Sequence, residues 1–242
     1  MPAWLIKLQG QFVSCFIDDN RWRYLVKGLG ITLEVTFFAL IIGLIFGCIV
    51  ALVRSSYDKT YAAMHPGFGK VALKTGNIFC SAYLTVFRGT PSVVQLLIWY
   101  FVILVASNNK VLVACIAFGF NSAAYVAEIM RADIMSVDAG QSEAGRSLGF
   151  SFFQTMRYII LPQAFKNVLT ALCNECIVLL KETAICGYIA LQDLTKGADI
   201  IRGRTFIAFL PLLAAAIYLV LVLIISKLLR KLERRLRSSD SR

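Results

Sequence analysis

Four stretches of this chain carry no charged side chain: residues 35–53, 89–109, 111–127 and 205–226, which run for 19, 21, 17 and 22 positions. A helix that crosses the hydrocarbon of a bilayer needs about 20 consecutive, mostly apolar residues. Helices on the surface of a water-soluble core instead show charge on their outer face every turn or two. The four runs are therefore expected to lie in lipid. Composition agrees, with 58% of the 242 residues hydrophobic and 16% charged, where soluble domains hold about 45–50% and about 25%.

The fold class expected is an all-α integral membrane protein with five transmembrane helices, over about residues 30–53, 84–106, 111–134, 166–190 and 206–229. The fourth is the most polar, interrupted by Glu175, Lys181 and Glu182. Residues 1–34 contain Lys7, Asp18, Asp19, Arg21, Arg23, Lys27 and Glu34 and lack a compact apolar centre, so the first span is expected to act as its own insertion signal. Lys and Arg in short loops set orientation. With the C-terminal tail in the cytoplasm, that side holds 16 basic residues and the other side 8. The N-terminus, residues 1–23, is then outside and the tail, residues 238–242, inside. The net charge of +11 is accounted for by topology and anionic lipid, without nucleic acid.

Catalytic and metal chemistry find little support. The seven cysteines fall mostly in apolar runs, where they behave as small hydrophobes. Cys173 and Cys176 have the C-x-x-C spacing but no second pair to complete four zinc ligands. Gly67-Phe68-Gly69-Lys70 is followed by Val71 and has Met64 where a phosphate-binding loop needs glycine. A single histidine, His65, leaves no readable nucleophile and base. No cofactor is expected in this chain.

Between the third and fourth spans lies EAGRSLGFSFFQTMRYIILPQA, residues 143–164. Gly140 precedes a short helix and Gly149 is placed to end it. Ser151 with Gln154 three residues on makes a capping-box start for a second helix. Phe152, Met156, Ile159 and Ile160 recur at helical spacing, and Pro162 redirects the chain. Such an elbow either docks into a partner or lies on lipid as an amphipathic connector.

Polar groups at membrane depth are costly and mark pathways or helix contacts. Asn121 and Glu128 are seven residues apart and share a face, with Ser122 beside it. Asn174 with Lys181, and Glu175 with Glu182, repeat that spacing, and Gln95 is the lone amide of the second span. Asn121, Ser122, Asn174, Glu175 and Gln95 are candidates to line a substrate pathway; the competing role is to join helices. Glu128, Lys181 and Glu182 suit structural pairing or gating, Glu128 with Arg131 one turn on. Gly89-Thr90-Pro91 is expected to bend the chain where the second span begins, with Arg88 beside lipid phosphates.

Glu143-Ala144-Gly145, then Gly149, then Ile159 and Leu161-Pro162 resembles the EAA loop of ABC importer permeases, with glycine at position 145 in place of the second alanine. GLGITLEVT, FRGTPSVVQLLIWYF, NSAAYVAEIMRADIMSVDAGQ and LLKETA resemble the polar amino acid uptake subfamily. The likeness covers residues 24–237, with the EAA loop at 140–162. It implies a type I importer permease whose cytoplasmic coupling helix, carrying Gly140, Glu143, Ala144, Gly145 and Gly149, inserts into an ATP-binding subunit. By the same resemblance, two ATP-binding subunits hold ATP and Mg, a second permease completes the channel, and an extracytoplasmic binding protein delivers the amino acid. The location implied is the bacterial cytoplasmic membrane. A stand-alone channel or secondary carrier is the alternative class; an intramembrane enzyme would need paired acids or a histidine cluster.

Overall fold

The computed structural model describes residues 9–238, and all its regular structure there is helical. After a π-turn at Val13–Ile17 come α1 (Trp22–Thr60), α2 (Phe68–Gly89), α3 (Ser92–Ile98, extended by a π-turn through Ile103) and α4 (Lys110–Ser136). The elbow holds α5 (Ala139–Ser147) and α6 (Phe152–Thr155), which leads through a π-turn into α7 (Leu161–Glu182). A 3₁₀ segment, Thr183–Ile189, precedes α8 (Leu194–Thr205) and α9 (Leu210–Ser238). Residues 1–8 of the expected N-terminal segment, and 239–242 of the expected tail, lie outside the described residues.

The 39-residue α1 turns its small residues inward. Thr32, Val35, Thr36, Ala39, Gly43, Gly47, Ala51 and Ser55 are buried, while Phe37, Phe38, Ile41, Ile45, Phe46, Ile49 and Leu52 are exposed. In water that distribution would be inverted. In lipid, large apolar side chains face the tails and small ones let helices approach. The partner is α4, running parallel: a Cβ on Gly43 would lie 2.9 Å from Ser122 Oγ, and one on Gly47 2.6 Å from Val126 Cγ1. From the other side, a Cβ on Gly119 would lie 2.6 Å from Ile42 Cγ2.

Trp22–Ala63, Lys110–Ser136 and Leu210–Lys231 are each long and apolar enough to cross a membrane. The segment expected as one span over 84–106 is divided differently. Its first residues belong to α2, the helix stops at Gly89, and α3 leaves at 111° to it. Thr90 and Pro91 adopt extended backbone there, which proline's fixed φ and missing N–H favour. Together α2 and α3 are long and apolar enough for one broken span or a re-entrant loop. The fourth expected segment is helical to Glu182 and then tightens into the 3₁₀ turn.

Leu179, Cys186 and Ile189 close a core with Val35, Ala39, Leu96 and Phe118. At the end where α1 begins, α8 packs across it beside the start of α9, burying Leu25, Leu194, Ala198, Ile201 and Leu210. α8 was not expected from the sequence.

Candidate functional site

The elbow projects from the end of the bundle where α4 finishes. Asp138 caps α5, its Oδ1 accepting from Gly140 N at 2.7 Å. At the other end Phe150 N donates to Gly145 O and Gly149 N to Arg146 O, at 3.1 and 2.9 Å. This is the paired closure of a Schellman motif, and Gly149 takes the left-handed conformation it requires, φ +81°. Ser151 then opens the next helix: its Oγ accepts from Gln154 N at 3.3 Å, and Gln154 Oε1 accepts from Ser151 N at 2.8 Å. The capping box is formed as the sequence indicates.

Helical geometry, 100° per residue, divides α5 into three faces. Ala139, Ser142 and Arg146 border a crevice of about 540 Å³ shared with Lys59 and Thr60 of α1. Gly145 is buried against Thr155 and Ile159. Gly140, Glu143, Ala144 and Ser147 are exposed on the remaining side. Four of the five candidate coupling residues, Gly149 included, are thus accessible. Gly145 is not: the position where this sequence departs from the EAA pattern faces its own second arm, so its missing methyl serves internal packing rather than a docking surface.

The candidate pathway residues are brought together in part. Asn121 Nδ2 donates to Gln95 Oε1 at 2.9 Å, and Ser122 Oγ donates to Glu175 Oε1 at 2.8 Å. All four are buried. Gln95 Nε2 in turn meets Phe87 O, Thr90 O and Thr90 Oγ1 at 2.8, 3.0 and 2.8 Å, which occupies carbonyls left open where α2 ends. Within this chain the four polar side chains join α3, α4 and α7. Asn174 and Lys181 lie exposed on the other face of α7, and Glu182 is half-buried. Glu128 lies 2.5 Å from Arg131 and 3.5 Å from Arg88. No cluster able to hold a metal is found among the described residues.

Helices that turn large apolar residues outward, joined by a doubly capped elbow, define a membrane-embedded protein with an accessible polar projection. The chain matches the family described as binding-protein-dependent transport system inner membrane component over residues 70–238, and it belongs to that family. It is similar to the arginine transport system permease protein ArtQ of Bacillus subtilis (strain 168), 38% identical over 221 residues, covering 90% of this chain and 94% of that one. The putative glutamine transport system permease protein GlnP of Rickettsia bellii (strain RML369-C) is 39% identical over 217 residues, covering 88% and 93%. A solved amino acid ABC transporter crystallised with histidines aligns with TM-score 0.77 and 42% identity over 91% of this chain and 98% of that one. The MetNI methionine transporter, at 21% identity and TM-score 0.73 over 89% and 97%, shares the fold.

Proposed function

We infer that this chain is the membrane permease subunit of an ATP-binding cassette importer for polar amino acids. The observation that carries the reading is similarity of 38–39% to amino acid permeases along about nine-tenths of the chain. A stand-alone channel or secondary carrier has no comparable support. The relatives' names, arginine and glutamine among them, favour a polar amino acid as cargo.

In this reading α1, the broken pair α2–α3, α4, α7 and α9 make five crossings of the bacterial cytoplasmic membrane. Loop charge favours an outside N-terminus and a cytoplasmic C-terminus, and puts the elbow in the cytoplasm. The exposed face of α5, with Gly140, Glu143 and Ala144, is the coupling surface for a separate ATP-binding subunit, which binds ATP and Mg and performs the hydrolysis. A second permease and an extracytoplasmic binding protein complete the importer, with two ATP-binding subunits below. ATP-driven closure of those subunits moves the elbow and alternates access. Gln95, Asn121, Ser122 and Glu175 hold helices together, while Asn174 and Lys181, exposed on α7, are the side chains left to face the pathway or the second permease.

Gentle detergent extraction of the tagged chain from its own cells tests the reading. An ATP-binding subunit should come with it, and be lost from the Glu143→Lys/Gly149→Val variant while membrane insertion persists. A chain that purifies alone and transports alone in vesicles overturns the assignment.

A further inference from the structure

Three uncharged runs stop at the same structural edge. The first ends before Arg54, the second begins after Arg88, and the third ends before Glu128. The fold gathers these three charges, from α1, α2 and α4, around one cleft of about 440 Å³ that Ser81 and Thr85 also line.

The charges there do not cancel. Arg131 is held by Glu128 at 2.5 Å and Asp58 at 3.1 Å, and Glu128 also faces Arg88 at 3.5 Å. The two carboxylates, Glu128 and Asp58, therefore pair with two of three guanidinium groups, those of Arg88 and Arg131. Arg54 has none within ion-pair reach among the described residues. Its Nη1 donates to the neutral amide oxygen of Asn77 at 3.0 Å, and its Nε, like that of Arg131, is buried with no hydrogen-bond partner among the described residues. An unpaired buried donor on a charged group is costly, and a guanidinium fork matches the geometry of an oxyanion.

Depth and surroundings indicate the source of that oxyanion. The limit of three uncharged runs is the level at which headgroup phosphates lie. On α2, Ile78, Phe79 and Val86 are exposed apolar side chains near the cleft-lining Ser81 and Thr85, where acyl chains can lie. We propose that the Arg54–Arg88 cleft binds the phosphate of an anionic phospholipid. Arg54 supplies the unpaired charge and Arg88 the outer rim.

The test uses the permease purified with its ATP-binding subunit in phosphatidylcholine nanodiscs doped with phosphatidylglycerol, and counts bound phosphatidylglycerol by native mass spectrometry. Arg54→Gln should weaken retention roughly fivefold, the worth of one basic residue at a membrane surface. Asn77→Asp keeps the guanidinium but gives it a carboxylate, and should weaken retention as much. Lys74→Gln, an exposed charge on the same helix, should change nothing. Retention unaltered in both Arg54→Gln and Asn77→Asp overturns the site. Displacement of the lipid by millimolar inorganic phosphate would mean a free-anion site and overturns the lipid assignment.

Discussion

A Cβ built on Gly145 would lie 2.8 Å from Thr155 Cγ2 and 3.0 Å from Ile159 Cδ1. The two arms of the elbow therefore meet at the one position where the sequence leaves the EAA pattern. Gly145→Ala gains up to about 1 kcal/mol of helix propensity but overpacks the joint by about 1–3 kcal/mol. A net loss of thermal stability is expected in the solubilised complex. Thr155→Ala removes the obstructing methyl and the hydroxyl that is buried without a partner. The double variant should recover most of the loss, a coupling that a double-mutant cycle reads directly.

Gln95 is the fastening of the bend between α2 and α3. Gln95→Leu keeps the volume but leaves Phe87 O and Asn121 Nδ2 without their partner. A cost of about 1–3 kcal/mol is expected for a buried group left unsatisfied. Faster amide exchange should appear around residues 86–95 rather than along α4. Unchanged exchange there would remove Gln95 from this role.

Gly28 lies under the loop that leads into α8, and a Cβ there would come within 2.5 Å of Asp193 O and 2.9 Å of Leu194 Cα. These are backbone atoms, which cannot swing aside as a side chain does. Gly28→Ala should cost at least about 1–3 kcal/mol, far more than Gly30→Ala, where nothing lies within 4 Å. Comparing the yields of folded, detergent-extracted protein is a direct check.

Asp193 is fully buried and caps α8, accepting from Thr195 N at 2.9 Å and Lys196 N at 3.2 Å. Burial raises its pKa above the ordinary 3.8, outweighing the amides that lower it. The stability contributed by this carboxyl is therefore complete below its unfolded pKa and lost as pH rises through the higher folded one. Asp193→Asn keeps an oxygen for the cap and should flatten that decline. The thermal midpoint of the two proteins, followed upward from about pH 4, separates the outcomes.

Much of this was legible in the sequence because the signals were local. Ser151 with Gln154, and Gly149 at a helix end, act over three to six residues and need nothing from the rest of the fold. The uncharged runs likewise mark α1, α4 and α9. α2 was hidden because it begins in a basic loop, at Phe68, and ends before the bend; its length depends on packing against α1 and α4. α8 reads as a polar loop, LTKGADIIRGRT, although Leu194, Ala198 and Ile201 keep helical spacing and Asp193 stands ready to cap it. The buried amides and acids gave a position but not a partner. Gln95 and Asn121, 26 residues apart, meet only because α3 turns back along α4.

The closing bond of α5 uses the amide of Phe150, and the opening bonds of the next helix begin at Ser151. No length of free backbone separates the two arms, and the buried Gly145 contact clamps them from inside. Such a joint has little compliance. A push delivered to α5 would reach α7 with almost no lost travel, so the stroke at the far end would be set by the elbow's angle rather than by its elasticity.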